Sequence, residues 1–286
     1  MFDDNETLEA ARRRNVRDAL HEDIGRCDWT SQLVPAERTV IAHVVVKEDA
    51  VLCGAQWFED CFTVLDPAAR VEWTRQDGND LARGDVVCEV RANARAALGA
   101  ERSALNFLQM LSAVATETRR YTRAIEGVSP NPRGCLMLDT RKTLPGLRQA
   151  QKYAVRTGGG TNHRMALWDG ILIKENHIAA AGGIAQALAA ARALDSGVPI
   201  QIEVESIAEL EEALAAGATY VLLDDFSLDD MRRACEVNAG RAMLEVSGGV
   251  DFDRLRLIAA TGVDRISSGK LTKDIRAIDF SLRVAD

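Results

Sequence analysis

Hydrophobic and polar positions along this chain follow two rhythms, and the change falls near residue 134. In the first part, residues 6 to 22 carry the pattern of an amphipathic helix. β-rich runs follow at RTVIAHVVVKEDAVLCG (38–54), RVEW (70–73) and DVVCEVRA (85–92), punctuated by turns such as GND and RGD. Between the first two runs, AQWFEDCFTVLD reads as a helix. Residues 100 to 126 place Leu105, Leu108, Leu111 and Val114 on one stripe of a long linking helix. This half is an expected α+β unit.

Beyond residue 134, short apolar runs alternate with Ala- and Leu-rich helical segments. The runs are CLMLD (135–139), GILIK (170–174), IQIEV (200–204), YVLLD (220–224), AMLEV (242–246) and DRISS (264–268). Strand, helix, strand at this spacing predicts βα units and a parallel sheet, and about six units predict an α/β barrel, closed or incomplete. The expected organisation is an N-terminal α+β domain with its linking helix over residues 1–115 and an α/β barrel over 116–270. Residues 271–286 form a C-terminal segment expected to pack back on the first domain.

Each apolar run of the second half ends on or beside a polar residue: Asp139 and Arg141, Lys174, Glu203, Asp224, Glu245 and Ser247, Ser268. A buried parallel strand has no structural need for charge at that end. In α/β barrels the C-terminal strand ends are where chemistry sits, so these residues mark a candidate catalytic face.

Charge sharpens the picture. The chain of 286 residues carries a net charge of −8, yet residues 138 to 178 hold seven Lys and Arg against three acids. The cations are Arg141, Lys142, Arg148, Lys152, Arg156, Arg164 and Lys174. Either this is a solvated basic surface or a pocket for a substrate with several negative charges. A sequence pI near 5.2 argues against general nucleic-acid binding, and only Tyr153 and Trp168 supply aromatics in the window. No apolar run approaches the roughly 20 residues needed to span a bilayer. The opening MFDDNETLEAARRR lacks an apolar core, so no secretory signal is expected. The six cysteines are scattered without a CxxC pair, which predicts reduced, buried thiols in a cytoplasmic protein.

Individual motifs carry different weight. In DTRKT, Arg141 offers a fork for a carboxylate and Lys142 a point charge, on opposite sides of an extended chain. RTGGGTNHR combines three glycines, which let backbone approach a ligand closely, with His163 and Arg164. The triplet alone is an ordinary loop, and residues 157–161 are a candidate for ordering on binding. No histidine pair has zinc spacing, and no dinucleotide or Walker motif occurs. Glu203 and Asp224 suit Mg²⁺, ribose hydroxyls or a structural ion network with Lys174. SGG (247–249) and SSG (267–269) follow the last two strands, as phosphate loops do in barrels.

Assembled, these stretches resemble the quinolinate phosphoribosyltransferase family across nearly the whole chain. The resemblance runs through EDIGRCDWTS, ERSALNFLQ, DTRKTLPGLR, KYAVRTGGGTNHRMALWDGILIKENHI, IEVES, LLDDF, LEVSGGV and TGVDRISSGKLT. It implies an α/β fold of the type II phosphoribosyltransferase kind, an N-terminal α+β domain joined to an incomplete, seven-stranded α/β barrel. It implies transfer of phosphoribosyl from phosphoribosyl pyrophosphate to quinolinate with Mg²⁺ and loss of CO₂. It also implies a homodimer with a shared active site, with hexamers as trimers of dimers an open alternative. By motif match, Arg141, His163, Arg164 and Lys174 contact the quinolinate carboxylates, Lys142 lies toward the phosphorylated substrate, and Arg102 comes from the neighbouring subunit. Glu203 and Asp224 match acids serving ribose and metal; Lys142, Lys174, Glu203 and Asp224 form the expected catalytic set. Ser247, Gly248, Gly249, Ser268 and Gly269 match the 5′-phosphate loops. Cys27, Leu144 and Lys270 depart from the family pattern, which commonly has Gly, Thr and a small residue there.

Overall fold

The computed structural model describes residues 5–285, so the first four residues of the acidic opening lie outside it. In chain order the main elements begin with α1 (Leu8–Ile24), β1 (Thr39–Val46), β2 (Ala50–Val51), α2 (Ala55–Leu65), β3 (Arg70–Trp73), β4 (Asp80–Leu81), β5 (Val86–Asn93) and α3 (Ala94–Ile125). They continue with β6 (Leu136–Leu138), α4 (Arg148–Thr157), β7 (Ile171–Ile173), α5 (Glu175–Ala181), α6 (Ile184–Ala193), β8 (Ile200–Val204), α7 (Ile207–Ala215) and β9 (Tyr220–Asp224). The last are α8 (Leu228–Asn238), β10 (Met243–Ser247), α9 (Leu255–Ala259), β11 (Arg265–Ser267), α10 (Lys270–Lys273) and β12 (Phe280–Val284).

The chain divides into two compact units. The first holds the described residues through Arg119, then Thr143–Gly159, then Leu271 onward; the second holds Arg120–Lys142 and Gly160–Lys270. The barrel-side span expected as 116–270 is therefore interrupted, because 143–159 goes with the first unit.

The first unit is built on an antiparallel sheet in the order β12-β1-β5-β3. β1 pairs with β5 on one edge and with β12 on the other, where Val44 faces Leu282. Trp57, Phe58 and Phe62 of α2 are buried, and Phe58 meets Trp73 edge-on at 5.4 Å between ring centroids. Burial of each such side chain stabilises by roughly 1.5–3 kcal/mol. Asp77 accepts hydrogen bonds from the N–H groups of Gly54 and Ala55 at the start of α2 and from the Tyr153 hydroxyl of α4. Gly158, at the end of α4, is spent on packing. A Cβ there would stand 2.4 Å from the Ala115 carbonyl oxygen of α3. Arg119 donates to the carbonyls of Gly78, Thr157 and Gly158. The first glycine of the triplet thus makes a helix–helix contact pinned by an arginine.

The second unit carries a parallel sheet in the order β6-β11-β10-β9-β8-β7. A single parallel bridge from Thr161 to Leu138 marks a seventh strand position beside β6. Six strands and this bridge account for the incomplete barrel. Alternate residues divide between faces, as the two-residue period demands. Ile202, Val204, Val221, Leu223, Leu244 and Val246 are fully buried on one face. Gln201, Glu203, Leu222, Glu245, Ser247 and Ser267 line cavities on the other. The helices after β8 and β9 start on capping serines: Ser206 accepts from the Glu209 N–H and Ser227 from the Asp230 N–H. Such caps contribute about 1 kcal/mol each and fix where the preceding strand ends project.

Candidate active site

A cavity of about 240 Å³ in the second unit gathers Thr140, Arg141, Lys142, His163, Arg164, Lys174, Glu203, Glu245, Ser247 and Ser267, with Leu172 and Leu222 as apolar wall. The residues come from strands β7 to β11 and from the segments after β6 and after Thr161. They project at the C-terminal ends of parallel strands, the position the sequence pattern assigned to chemistry.

The cations are held apart from one another in different ways. Arg164 is half-buried and donates to the Gly170 carbonyl at 2.8 Å. Burial, and then the neighbouring charge of Arg141, push its guanidinium pKa down, against a small opposing pull from Asp169. It remains charged, so the direction shows positive charge concentrated in a partly dry place. Lys174 rests on Glu203, its Nζ lying 3.0 and 2.8 Å from the two carboxylate oxygens. Glu203 is nearly buried and Lys174 half-exposed, so the acid is the fixed partner and the lysine the movable one.

The basic window of the sequence does not survive as one cluster. Arg141, Lys142, Arg164 and Lys174 line this cavity. Arg148, Lys152 and Arg156 ride on α4 in the first unit, with Lys152 fully buried. Arg102 also belongs to the first unit. It lines a cavity of about 400 Å³ with residues of α1, α3 and Leu144–Gln151.

His163 is fixed by its surroundings. Its backbone N–H donates to Asp139 Oδ1 at 2.9 Å, and its Nδ1 accepts from the Arg164 N–H at 2.8 Å. Its Nε2 lies 3.0 Å from Gln201 Oε1. Gln201 in turn donates through Nε2 to Glu245 Oε2 at 3.1 Å. Asp139, fully buried, also accepts from Asn162 Nδ2. The acid at the end of β6 therefore shapes the Asn162–His163 turn.

The two Ser/Gly loops are tightly fitted to the polar strand ends. Gly248 has φ +82° and a Cβ there would lie 3.1 Å from Asp224 Oδ1. A Cβ on Gly269 would lie 2.9 Å from Lys142 Cδ. Ser268 is buried, and its Oγ accepts from the Lys270 N–H at the start of α10. Ser267, one residue earlier, lines the cavity instead. Lys270 forms an ion pair with Asp251 and holds that carboxyl below its usual range, so this departure from the family pattern joins the two loops.

Among the described residues no group of three or more His, Cys, Asp or Glu forms a metal cage. Mg²⁺ usually takes one or two carboxylates and completes its shell with water and substrate phosphate. Asp224 Oδ1 beside the bare Gly248, together with Glu203 one position before the end of β8, supplies carboxylates of the kind that demand requires. Sequence reading missed Gln201, Thr140 and Ser267, and it noted Glu245 without giving it a role. The period-two inward faces of β8, β10 and β11 signal Gln201, Glu245 and Ser267, while Thr140 follows β6 and carries no such signal.

Comparison with known proteins agrees over most of the chain. Residues 28–112 match the model for the quinolinate phosphoribosyl transferase N-terminal domain, and 114–283 match that for its C-terminal domain. A probable nicotinate-nucleotide pyrophosphorylase (carboxylating) of Bacillus subtilis is 40% identical over 264 residues, covering 92% of this chain and 90% of the relative. The corresponding protein of Mycobacterium leprae is 39% identical over 282 residues, covering 95% and 96%. The solved structure of the Francisella tularensis nicotinate-nucleotide pyrophosphorylase superimposes with a TM-score of 0.92 at 42% identity, covering 98% of both chains.

Proposed function

We infer the activity from one premise: the chain belongs to the quinolinate phosphoribosyltransferase family. It transfers phosphoribosyl from phosphoribosyl pyrophosphate to quinolinate with decarboxylation. The products are nicotinate mononucleotide, pyrophosphate and CO₂, on the de novo route to NAD. At the level of residues, the observation that carries the reading is one cavity lined by Arg141, Lys142, Arg164 and Lys174 beside Glu203.

Quinolinate is a dianion, and burying it needs matched positive charge. Arg141 and Arg164 supply planar forks for its carboxylates, and Lys174 supplies a third cation when it leaves Glu203. Lys142 and the loops 247–249 and 268–269 hold the phosphorylated substrate. The C1′–O bond to pyrophosphate breaks with oxocarbenium character, and the Glu203 and Asp224 carboxylates stabilise the developing positive charge. The pyridine nitrogen takes C1′. The bond to the C2 carboxylate then breaks, CO₂ departs, and the electron pair stays on C2 beside the positive ring nitrogen until a proton from water joins C2 to complete the nicotinate ring. The ring is its own electron sink, so the protein's work is orientation and charge placement. Glu203 and Asp224 are the residues that would hold Mg²⁺, which when bound neutralises the leaving pyrophosphate.

The family resemblance supports a homodimer in which Arg102 reaches the neighbouring subunit's site, with trimers of such dimers a further possible assembly. We place the enzyme in the cytoplasm on its scattered cysteines without CxxC pairs; among the described residues, no helix is long and apolar enough to cross a membrane. The test is direct. Purified protein is mixed with quinolinate, phosphoribosyl pyrophosphate and Mg²⁺, and CO₂ and mononucleotide are followed together, with nicotinate as control ring. Equal release of both from quinolinate and none from nicotinate is expected. Turnover of nicotinate alone would reject quinolinate as the substrate.

A further inference from the structure

We propose that Gln201 and Glu245 are positioning residues: a buried relay that holds His163 in one neutral tautomer and one ring plane, and through it sets Arg164. The proposal rests on the quinolinate reading above for its kinetic consequence, but not for its structural content.

The protons in the relay can be assigned from what each atom is able to do. His163 Nδ1 accepts from a backbone N–H, so that nitrogen presents a lone pair and carries no proton. His163 Nε2 faces Gln201 Oε1 at 3.0 Å. An amide oxygen only accepts, so Nε2 carries the proton. The orientation of the Gln201 amide is set in turn by Glu245. An ionised carboxylate only accepts, so the NH₂ end turns to Glu245 Oε2 at 3.1 Å and the oxygen turns to the histidine. Glu245 Oε1 lies 3.5 Å from the same His163 Nε2 and has no hydrogen-bond partner. It therefore adds a second negative end toward which that N–H points.

Glu245 is only 1% exposed. A carboxylate buried with one neutral donor is expensive. The residues beside it in the register are Leu222 of β9 and Arg265 of β11, and the Arg265 guanidinium lies over the Tyr220 ring, 5.1 Å from its centroid. The acid is accounted for by what it holds. With both ring nitrogens committed inside the protein, His163 serves the cavity as an oriented wall. The carboxylate charge is then met by Arg141, Arg164 and Lys174. His163 also stands between two cavities, the catalytic one and a neighbouring space of about 370 Å³ lined by Gln201, Tyr220 and Arg265. The relay keeps its ring upright between them. Because the Arg164 N–H is bonded to the ring, loosening the ring loosens the arginine.

The chain has four histidines, so ¹⁵N-histidine NMR of the intact protein resolves the question without reference to turnover, with a His163→Gln variant to assign the signal. The expected wild-type spectrum near pH 7.5 shows His163 with Nε2 protonated and Nδ1 bare. Glu245→Gln replaces an acceptor-only carboxylate with an amide that donates as well as accepts, so Gln201 is no longer held in one orientation, and Gln201→Leu removes the acceptor of the Nε2 proton; either variant should mix the tautomers. The KM for quinolinate should rise about tenfold in both, equivalent to about 1.4 kcal/mol, while the KM for phosphoribosyl pyrophosphate stays within about twofold. A purely structural loss would move both constants and the folded fraction together. A wild-type His163 that is doubly protonated or Nδ1-protonated overturns the proposal. So does a Glu245→Gln protein with unchanged tautomer, or one with unchanged quinolinate KM. A wild-type protein inactive on quinolinate yet showing the fixed tautomer would reject the substrate and leave the relay standing.

Discussion

Arg141 and Arg164 show how a single side chain is tuned by what it lacks. Two guanidinium groups share a partly buried space, and burial together with the Arg141 charge depresses the Arg164 pKa. Without an anion between them the pair repels, and a bound dicarboxylate reverses the sign of that interaction. If the proposed clamp holds, removing either arginine leaves a substrate carboxylate without its fork in a partly buried cavity. We expect Arg141→Ala and Arg164→Ala each to lose on the order of 2–5 kcal/mol. That is roughly one and a half to three and a half decades of kcat/KM for quinolinate. Steady-state rates check this, and a variant within about threefold of wild type would refute the clamp. Arg164→Lys should recover little, because an ammonium cannot make the two parallel bonds of a guanidinium.

At the scale of elements, α4 is the instructive case. Its three cations were counted with the active-site window in the sequence, yet the helix packs in the first unit against α1 and α3. Charge is legible in a sequence; the direction in which a helix carries it is not. The strand-ending residues were legible because a parallel strand's C-terminal end is fixed by the period-two run before it, and β6 to β11 all fall on the expected segments, with β10 running one residue past its own. The short strand β4, the helix α4 and the returning β12 were not resolved in that reading, since two-residue strands and strands paired across the whole chain leave little local signal. The packing role of Gly158 was hidden for a similar reason: permissiveness for a loop and permissiveness for a neighbouring helix look identical in one dimension. Gly158→Ala should therefore act on stability. Pushing a methyl toward the Ala115 carbonyl should cost about 1–3 kcal/mol, read as a lower urea midpoint with unchanged slope. An unaltered midpoint would show that α4 shifts freely and that the contact is slack.

For the whole molecule, two expectations follow. The shared-site proposal puts Arg102 and Arg141 of one active site on different subunits. Arg102→Ala and Arg141→Ala proteins, each inactive alone, should regain about a quarter of wild-type activity when unfolded and refolded together in equal amounts, because a two-fold dimer then carries one intact site in each mixed pair. No recovery at all would place both arginines in the same chain's site. The second expectation concerns alkaline pH. All six cysteines are free, with Cys53, Cys61 and Cys88 buried. Burial pushes the Cys61 thiol up to about 12 and raises those of Cys53 and Cys88 as well. The unfolded chain loses these protons near pH 8.5, about where a free thiol titrates, while the folded chain keeps them. Stability is thus fully present below about pH 8.5 and declines as pH rises toward 12, by at most about 1.4 kcal/mol per pH unit for each thiol. Urea midpoints measured from pH 7 to 10.5 should fall along that course, and a flat profile would mean that the thiols are less shielded than their positions imply.

The pairing of β12 with β1 has a consequence for how the chain is made. During synthesis β1 leaves the ribosome early, while Phe280–Val284 leave after every residue of the second unit. Until then one edge of the first sheet offers open backbone hydrogen bonds, the kind of edge that recruits foreign strands. The N-terminal fold is therefore completed only by a strand translated after the whole second unit, and a ribosome stalled anywhere in the barrel releases a chain with an adhesive flank. A quality-control system that captures exposed strand edges would discard such products before they could assemble with finished subunits.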